Sequence, residues 1–469
     1  MALPAPLEAL RALRRSGVRL APSPPEPNVV AGHLALLRRD PLRFFTSVQR
    51  SWGDVVRLRF GWRPAMVVAH PRDVRRVHVD NVKNYDKQTP GFDKLRVVLG
   101  NGLLTSEGAF WLRQRRIAQP AFSRERIAKF APTMLQATDQ LLDGWLAERA
   151  LGAVDVGRGM NVLTLRIAGL TLLSKDFTGE ARAVGDALAL LLPQIQRTLL
   201  NPIWGLTRHL PTPNNLRVTK ATEELFGLVR RTIEERRRHA TAPDDLLTML
   251  LQARDEETGE SMSDQQLQDE VLTIFLAGHE TTANALTWAL LLAAQHPRET
   301  AAVTDELRRE LGCGANAPPP DAESITRLTK TRAFVLETMR LFPPAWNLAR
   351  RAKDDDELGG FFVPKDTLVF TSPYVTHRHP EFFPRPERFD PERFADVRAE
   401  NVRAAYFPFG MGPRLCIGQP FAMLELVLLF ARILQRVRLG PLDGRAPRPT
   451  PHVTLRPDVP LRLFVAPVG

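Results

Sequence analysis

One stretch constrains this chain more than any other: Phe407-Pro408-Phe409-Gly410-Met411-Gly412-Pro413-Arg414-Leu415-Cys416-Ile417-Gly418, followed at once by an apolar helical run over 419–437. Glycines allow φ > 0 and close backbone approach, and prolines bar a regular element until the cysteine has passed. A thiolate at the start of a helix is favoured by the unpaired N–H groups and the dipole there. The pattern reads as a turn shaped to aim one sulfur outward against something flat. A heme iron fits, because Cys thiolate is among the axial ligands of heme. A tight turn around an inert, buried thiol fits the same residues.

The totals narrow the setting. With 469 residues and a hydrophobic fraction of 44%, the chain can bury a large core. Its two cysteines, Cys313 and Cys416, exclude a disulfide framework and point to a reducing, cytoplasmic location. Cys313 lies in a Gly/Pro loop and reads as incidental. No run of about 18 apolar residues is present, so no transmembrane segment is expected. Residues 1–15 alternate Leu/Ala with Arg and lack a secretory core, which suits a weakly amphipathic helix at most. The formal net charge is +12. No Lys/Arg block sits beside aromatics, so nucleic acid is not expected; a basic surface for an acidic protein partner is.

Along the chain, residues 1–28 form a Pro-rich irregular lead-in, and 29–469 read as one domain, mainly α with a minor β portion. Helices are predicted over 40–52, 110–117, 127–149, 161–173, 181–200 (kinked at Pro193), 217–240, 244–253, 263–295, 298–311 and 323–341. Two short strands are predicted at 55–60 and 65–69, a long loop at 84–108, a hairpin over 356–370 and terminal strands within 453–466. The helix over 263–295 is the longest.

Three further constellations carry chemistry. Ala277-Gly278-His279-Glu280-Thr281-Thr282 lies mid-helix, where Gly costs about 1 kcal/mol relative to Ala and Thr can bond back one turn and bend the helix. An acid and a hydroxyl at a thinned point suit a flat cofactor where O₂ is bound and protonated; a helix contact needing small residues suits it too. Glu337 and Arg340 share a helix face among apolar neighbours, so a buried pair needs a further partner, with Arg393 and Arg388 as candidates. Trp111 and Arg115, one turn apart, are two donors suited to a carboxylate. His279 receives no chemical role.

Trp-x-x-x-Arg at 111/115, Ala-Gly-x-Glu-Thr-Thr at 277–282, Glu-x-x-Arg at 337/340, Pro-Glu-Arg-Phe at 391–394 and Phe-x-x-Gly-x-Arg-x-Cys-x-Gly at 409–418 occur in one order. Together they resemble the cytochrome P450 family of heme-thiolate monooxygenases, in its soluble bacterial form, from about Val30 to the end. The resemblance implies the family fold, with heme b between the long central helix and the helix after the Cys loop. It implies Cys416 as the iron ligand, with Pro408, Phe409, Gly410 and Gly418 on that side of the heme. Arg414, Trp111, Arg115 and Arg350 are implied at the propionates, and Ala277 and Gly278 beside O₂. Thr281 and Glu280 are implied in proton delivery, and Glu337, Arg340 and Arg393 in a structural triad; Arg393 is preferred to Arg388 as the copy nearer the Cys loop.

Phe275, Leu276, Ala345, Trp346, Leu348 and Val453 fall in segments expected to contact substrate, as does 190–211. Their apolar character implies a terpenoid, fatty acid, steroid or polyketide-like substrate. With no flavin or iron–sulfur pattern after the heme region, electrons are expected from a separate ferredoxin or flavodoxin and its NAD(P)H reductase, to a protein expected to be monomeric. A heme-thiolate peroxygenase or isomerase is the alternative, but such members often lose the acid–alcohol pair kept here at Glu280-Thr281. A non-catalytic heme protein would need neither relay nor apolar pocket.

Overall fold

The computed structural model describes residues 19–148, 153–176, 210, 212–238, 243–314, 316–396, 400–442 and 445–468. The expected helix over 181–200, its kink at Pro193, the contact segment 190–211 apart from Leu210, and most of the lead-in lie outside the described residues. The chain forms two compact units. One comprises Met1–Asp93, Ala345–Phe389 and Asp396–Cys416; the other comprises Lys94–Pro344, Asp390–Ala395 and Ile417–Gly469.

The first unit is built on a five-stranded sheet. Val55–Phe60 and Arg63–Val68 pair antiparallel across the Gly61-Trp62 turn, from Val55↔Val68 to Phe60↔Arg63. Leu368–Thr371 adds in parallel to Arg63–Val68, Leu348–Ala352 pairs antiparallel with it, and Tyr85–Asp86 closes the edge. The sheet buries Val55, Met66, Val68 and Val369 with Val74, Val77 and Phe407, and Leu348 and Met411 pack on this cluster. The core of the sheet therefore supports the cysteine stretch directly. Helix Pro41–Trp52 begins where expected, with Pro41 in its first turn and the Asp40 carboxylate accepting the Arg43 N–H.

The hairpin expected over 356–370 is shorter. Asp356–Leu358 pairs only with Phe361–Val363, around Gly359-Gly360. A turn then closes, with Thr367 N–H donating to Pro364 O and Asp366 at φ 63°, and the next strand departs to the main sheet.

The second unit is mainly helical. Its longest element, Asp264–Gln295, starts at a capping box: Ser263 Oγ accepts the Gln266 N–H, and the Gln266 side chain accepts the Ser263 N–H. It packs against Val156–Leu172, Pro213–Arg238, Thr329–Leu341 and Gln419–Arg436. From Thr282 to Ala294 every residue is buried, which explains why that half is mostly apolar, with Thr282, Asn284 and Thr287 as its polar residues.

Two expectations change here. Residues 84–108 are not one loop, because Pro90–Leu99 is a helix, entered through Thr89, whose carbonyl accepts the Asp93 N–H. The helix expected from 323 begins at Thr329, after a 3₁₀ turn at Ser324–Thr326. Its start is set from another helix. The Glu306 carboxylate accepts the N–H groups of Lys330 and Thr331 and the hydroxyls of Thr329 and Thr331.

The chain finishes with the hairpin Pro449–Pro451/Leu455–Pro457 and a sheet of Val154–Asp155, Arg462–Pro467 and Val437–Pro441. Among the described residues no helix is long and apolar enough to cross a membrane.

Candidate functional site

In the first unit the cysteine stretch is a bonded loop. Phe407 N–H donates to His377 Nε2 (3.0 Å), Gly410 N–H to Phe407 O (3.0 Å), Leu415 N–H to Gly412 O (3.0 Å) and Cys416 N–H to Phe409 O (3.0 Å). Gly412 is required: its φ is +69°, and a Cβ there would stand 2.1 Å from the carbonyl oxygen of His78. Cys416 emerges exposed, so the inert, buried thiol is excluded. Pro408 is buried, and Phe409, Gly410 and Arg414 are half-buried.

His78 sits on a π-type turn, Arg76–Asp80, with Nε2 2.7 Å from Thr371 Oγ1. Burial pushes its pKa well down, helped by the charges of Arg350 and Lys87, so the ring is neutral. Arg350 is buried on strand Leu348–Ala352, and its Nη1–H donates to Ala349 O (2.9 Å). Ala345, Trp346 and Leu348 are half-buried, and Leu348 Cδ1 lies 3.9 Å from the Cβ position of Gly410.

In the second unit the Ala-Gly-x-Glu-Thr-Thr segment lies within a helix that runs unbroken through it. Ala277 is exposed, Leu276, Gly278 and Thr281 are half-buried, and a Cβ on Gly278 would meet nothing within 4 Å. The small residues therefore do not make a helix contact; they leave space. Phe275 does not share that space. It is 3% exposed, because about 100° per residue puts it some 200° around the helix from Ala277, facing the protein. Thr281 Oγ1 donates to Ala277 O (2.6 Å), leaving the oxygen lone pairs to accept.

Glu280 is buried, and Oε1 accepts from Thr454 Oγ1 at 2.7 Å. Burial pushes its carboxyl up, and Thr454 and the Arg456 charge pull it back. His279 is buried with its pKa pushed down to about 4, consistent with no chemical role.

Glu337 and Arg340 are fully buried and joined by two hydrogen bonds, Nε–H to Oε2 (2.7 Å) and Nη2–H to Oε1 (2.8 Å). Asp390 N–H donates to Glu337 Oε1 (2.8 Å), and Arg393 Nε lies 3.5 Å from the same oxygen. The three residues meet as a cluster on Thr329–Leu341 and the 3₁₀ turn Pro391–Phe394. Trp111 and Arg115 are half-buried on Gly108–Ala118, where Arg115 Nε–H donates to Gln119 Oε1 (3.2 Å). Gly418 precedes helix Gln419–Arg436, and Val453 is half-buried beside Thr454.

Sequence reasoning missed three residues. His377 anchors the loop through Phe407, yet it stands in a His/Arg-rich meander with no spacing signal. Glu425 is buried on Gln419–Arg436, with its carboxyl pushed up to about 8 by burial and only the Thr282 hydroxyl opposing this. An acid in so apolar a helical run was the available cue. Thr454 bonds Glu280 from 174 positions away, with no local signal.

The profile of the family described as Cytochrome P450 matches residues 22–464. The chain belongs to the cytochrome P450 family. This P450 is 40% identical to cyclooctatin synthase of Streptomyces melanosporofaciens, over 93% of the chain and 94% of that protein. It is 37% identical to cyclooctat-9-en-7-ol 5-monooxygenase of the same organism, over 88% of each. Identity to pentalenene oxygenase of Streptomyces avermitilis is 34%, over 92% and 94%. The P450 is thus a heme-thiolate monooxygenase. The cysteine loop of the first unit fits that group, with an exposed thiol in a loop that only glycine can shape.

Proposed function

We propose that this P450 inserts one oxygen atom of O₂ into a hydrophobic, terpenoid-like molecule, using heme b and electrons from a separate ferredoxin or flavodoxin and its NAD(P)H reductase. Bound heme supplies oxygen activation, which thiolate donation favours. Cys416 holds the iron, and the loop amides of Gly410, Leu415 and Cys416, all internally bonded, keep the sulfur still. Pro408, Phe409, Gly410 and Gly418 shape the thiolate side. Arg350, Arg414, Trp111 and Arg115 hold the propionates. Ala277 and Gly278 leave room on the oxygen side. Thr281 Oγ1, whose own hydrogen is committed to Ala277 O, accepts a hydrogen bond and so orients the group that carries the proton, and Glu280 supplies the proton. The Glu337–Arg340–Arg393 cluster stiffens the scaffold.

The observation that carries this reading is the open space at Gly278, next to a buried acid and a hydroxyl already oriented. Replacing Thr281 by Ala is expected to divert electrons to peroxide. Full coupling without extra peroxide in that variant would reject the relay. A reduced carbon-monoxide spectrum lacking the band of Cys-ligated heme would reject Cys416 as ligand. The substrate class is supported by relatives named for cyclooctat-9-en-7-ol and pentalenene and by half-buried Leu276, Trp346, Leu348 and Val453. A heme spin-shift screen tests it, with cyclic terpenoids expected to bind ahead of fatty acids and steroids of similar size.

A further inference from the structure

On the long helix, Glu280, Asn284 and Trp288 lie at intervals of four and share one face. All three meet the C-terminal hairpin region. Asn284 Nδ2–H donates to Thr454 Oγ1 (3.0 Å), Thr454 Oγ1–H donates to Glu280 Oε1 (2.7 Å), and Trp288 Nε1–H donates to Leu455 O (3.2 Å). The direction of this chain is fixed, because Asn284 offers a donor and the threonine hydrogen has one acceptor to reach. The hairpin is itself held: Leu455 N–H donates to Pro344 O, His452 N–H to Thr454 O, and Arg456 Nη2–H to His452 Nδ1 (3.3 Å). Asn284 and Thr454 are both 5% exposed, so water does not replace these bonds cheaply. No hydrogen bond to Glu280 Oε2 is present among the described residues.

We propose that Thr454 is a positioning residue for proton delivery: oriented by Asn284, it ties one carboxylate oxygen of Glu280 to the hairpin and leaves the other to exchange its proton. This rests on the role given above to Glu280. The arrangement is asymmetric in a useful way. A carboxylate bonded at both oxygens would hold its charge and resist protonation; one bonded at neither, and buried, would stay neutral. The single bond from Thr454, with the Arg456 charge beyond it, sets Glu280 between these limits. The other titratable groups on the packed elements point elsewhere: His279 to the backbone of Asn161, Glu425 to Thr282, and His452 to Arg456.

The test uses holoenzyme of wild type, Thr454→Val, Thr454→Ser and, to identify the band, Glu280→Gln. The first readout is an infrared titration of the protonated Glu280 carboxyl; the second is the share of electrons lost to peroxide. In Thr454→Val the ionisation constant of Glu280 should fall at least tenfold, a midpoint about one pH unit higher, and peroxide should rise severalfold. Serine keeps the hydroxyl and should restore both. An unchanged titration in the valine variant, or no rescue by serine, overturns the proposal. A shifted titration with unchanged peroxide would leave the seat standing and reject instead the relay role of Glu280.

Discussion

Removing Arg340 is the most informative perturbation of the scaffold. In Arg340→Met, Glu337 keeps the Asp390 N–H at 2.8 Å and Arg393 at 3.5 Å but loses its two short bonds to Arg340. Breaking one side of a buried pair costs about 3–5 kcal/mol. Unfolding entropy of about 2.1 cal/mol/K per residue, over 469 residues, gives about 1 kcal/mol/K, so the melting midpoint should fall by about 3–5 °C.

The loss should also depend on pH. Burial pushes the Glu337 carboxyl up, and Arg340 is the first group that pulls it down. With Arg340 in place the folded pKa already lies above the unfolded one, because burial outweighs the pairing, and without Arg340 it rises further. The folded state then binds the extra proton, and stability falls as pH rises from the usual carboxylate range through the raised folded value. Relative to wild type the deficit should therefore be smallest near pH 5 and grow, by at most about 1.4 kcal/mol per pH unit, between the two folded values. Glu337→Leu/Arg340→Met removes both charges and should recover part of the loss. The unpaired Asp390 N–H left behind still costs about 1–3 kcal/mol. Circular-dichroism melts between pH 5 and 8 measure all of this. A single variant within about 1 kcal/mol of wild type at pH 8, or a deficit that shrinks with pH, refutes the reasoning.

Gly412→Ala places a methyl on the His78 carbonyl at a positive φ, so a stability loss of at least ~2 kcal/mol is expected in denaturant melts, with weaker heme retention. Gly278→Ala meets no neighbour, so folding should gain up to ~1 kcal/mol of helix propensity while coupled turnover falls severalfold; unaltered turnover would show that the space is idle. A ferredoxin or flavodoxin drawn to a chain of net charge +12 should reduce it more slowly as salt rises, and stopped-flow rates flat across the series would remove electrostatic docking.

Local chemistry made parts of this architecture readable in the sequence. The uninterrupted run over 263–295 marks the long helix, and Glu337 and Arg340 pair within one turn, so no distant contact is needed to see either. What stayed hidden depends on distant partners. Helix Thr329–Leu341 starts where Glu306 caps it, and no window around 329 contains that carboxylate. Thr454 meets Glu280 across 174 positions. Phe275 looked like a site residue because it is apolar and near the motif, but the helical angle turns it inward. Pro90–Leu99 was obscured by Gly91 and Gly100, which suggested a loop, although Pro90 and Thr89 form a good helix entrance.

The amide accounting of the cysteine loop bears on what cofactor capture costs. A segment with three glycines and two prolines between 407 and 418 has the composition of a floppy linker, yet its amides at Phe407, Gly410, Leu415 and Cys416 are each committed to an acceptor within the same compact unit. Ordering a residue costs about 1–2 kcal/mol of backbone entropy, and here the sheet unit's own hydrogen bonds to the loop offset part of that cost. Less binding energy at the sulfur is then spent on arranging the chain that presents it. The loop is a bonded socket: its affinity depends on the stability of the strands beneath it, and a lesion in Leu368–Thr371 should weaken cofactor retention without touching a residue assigned to hold the cofactor.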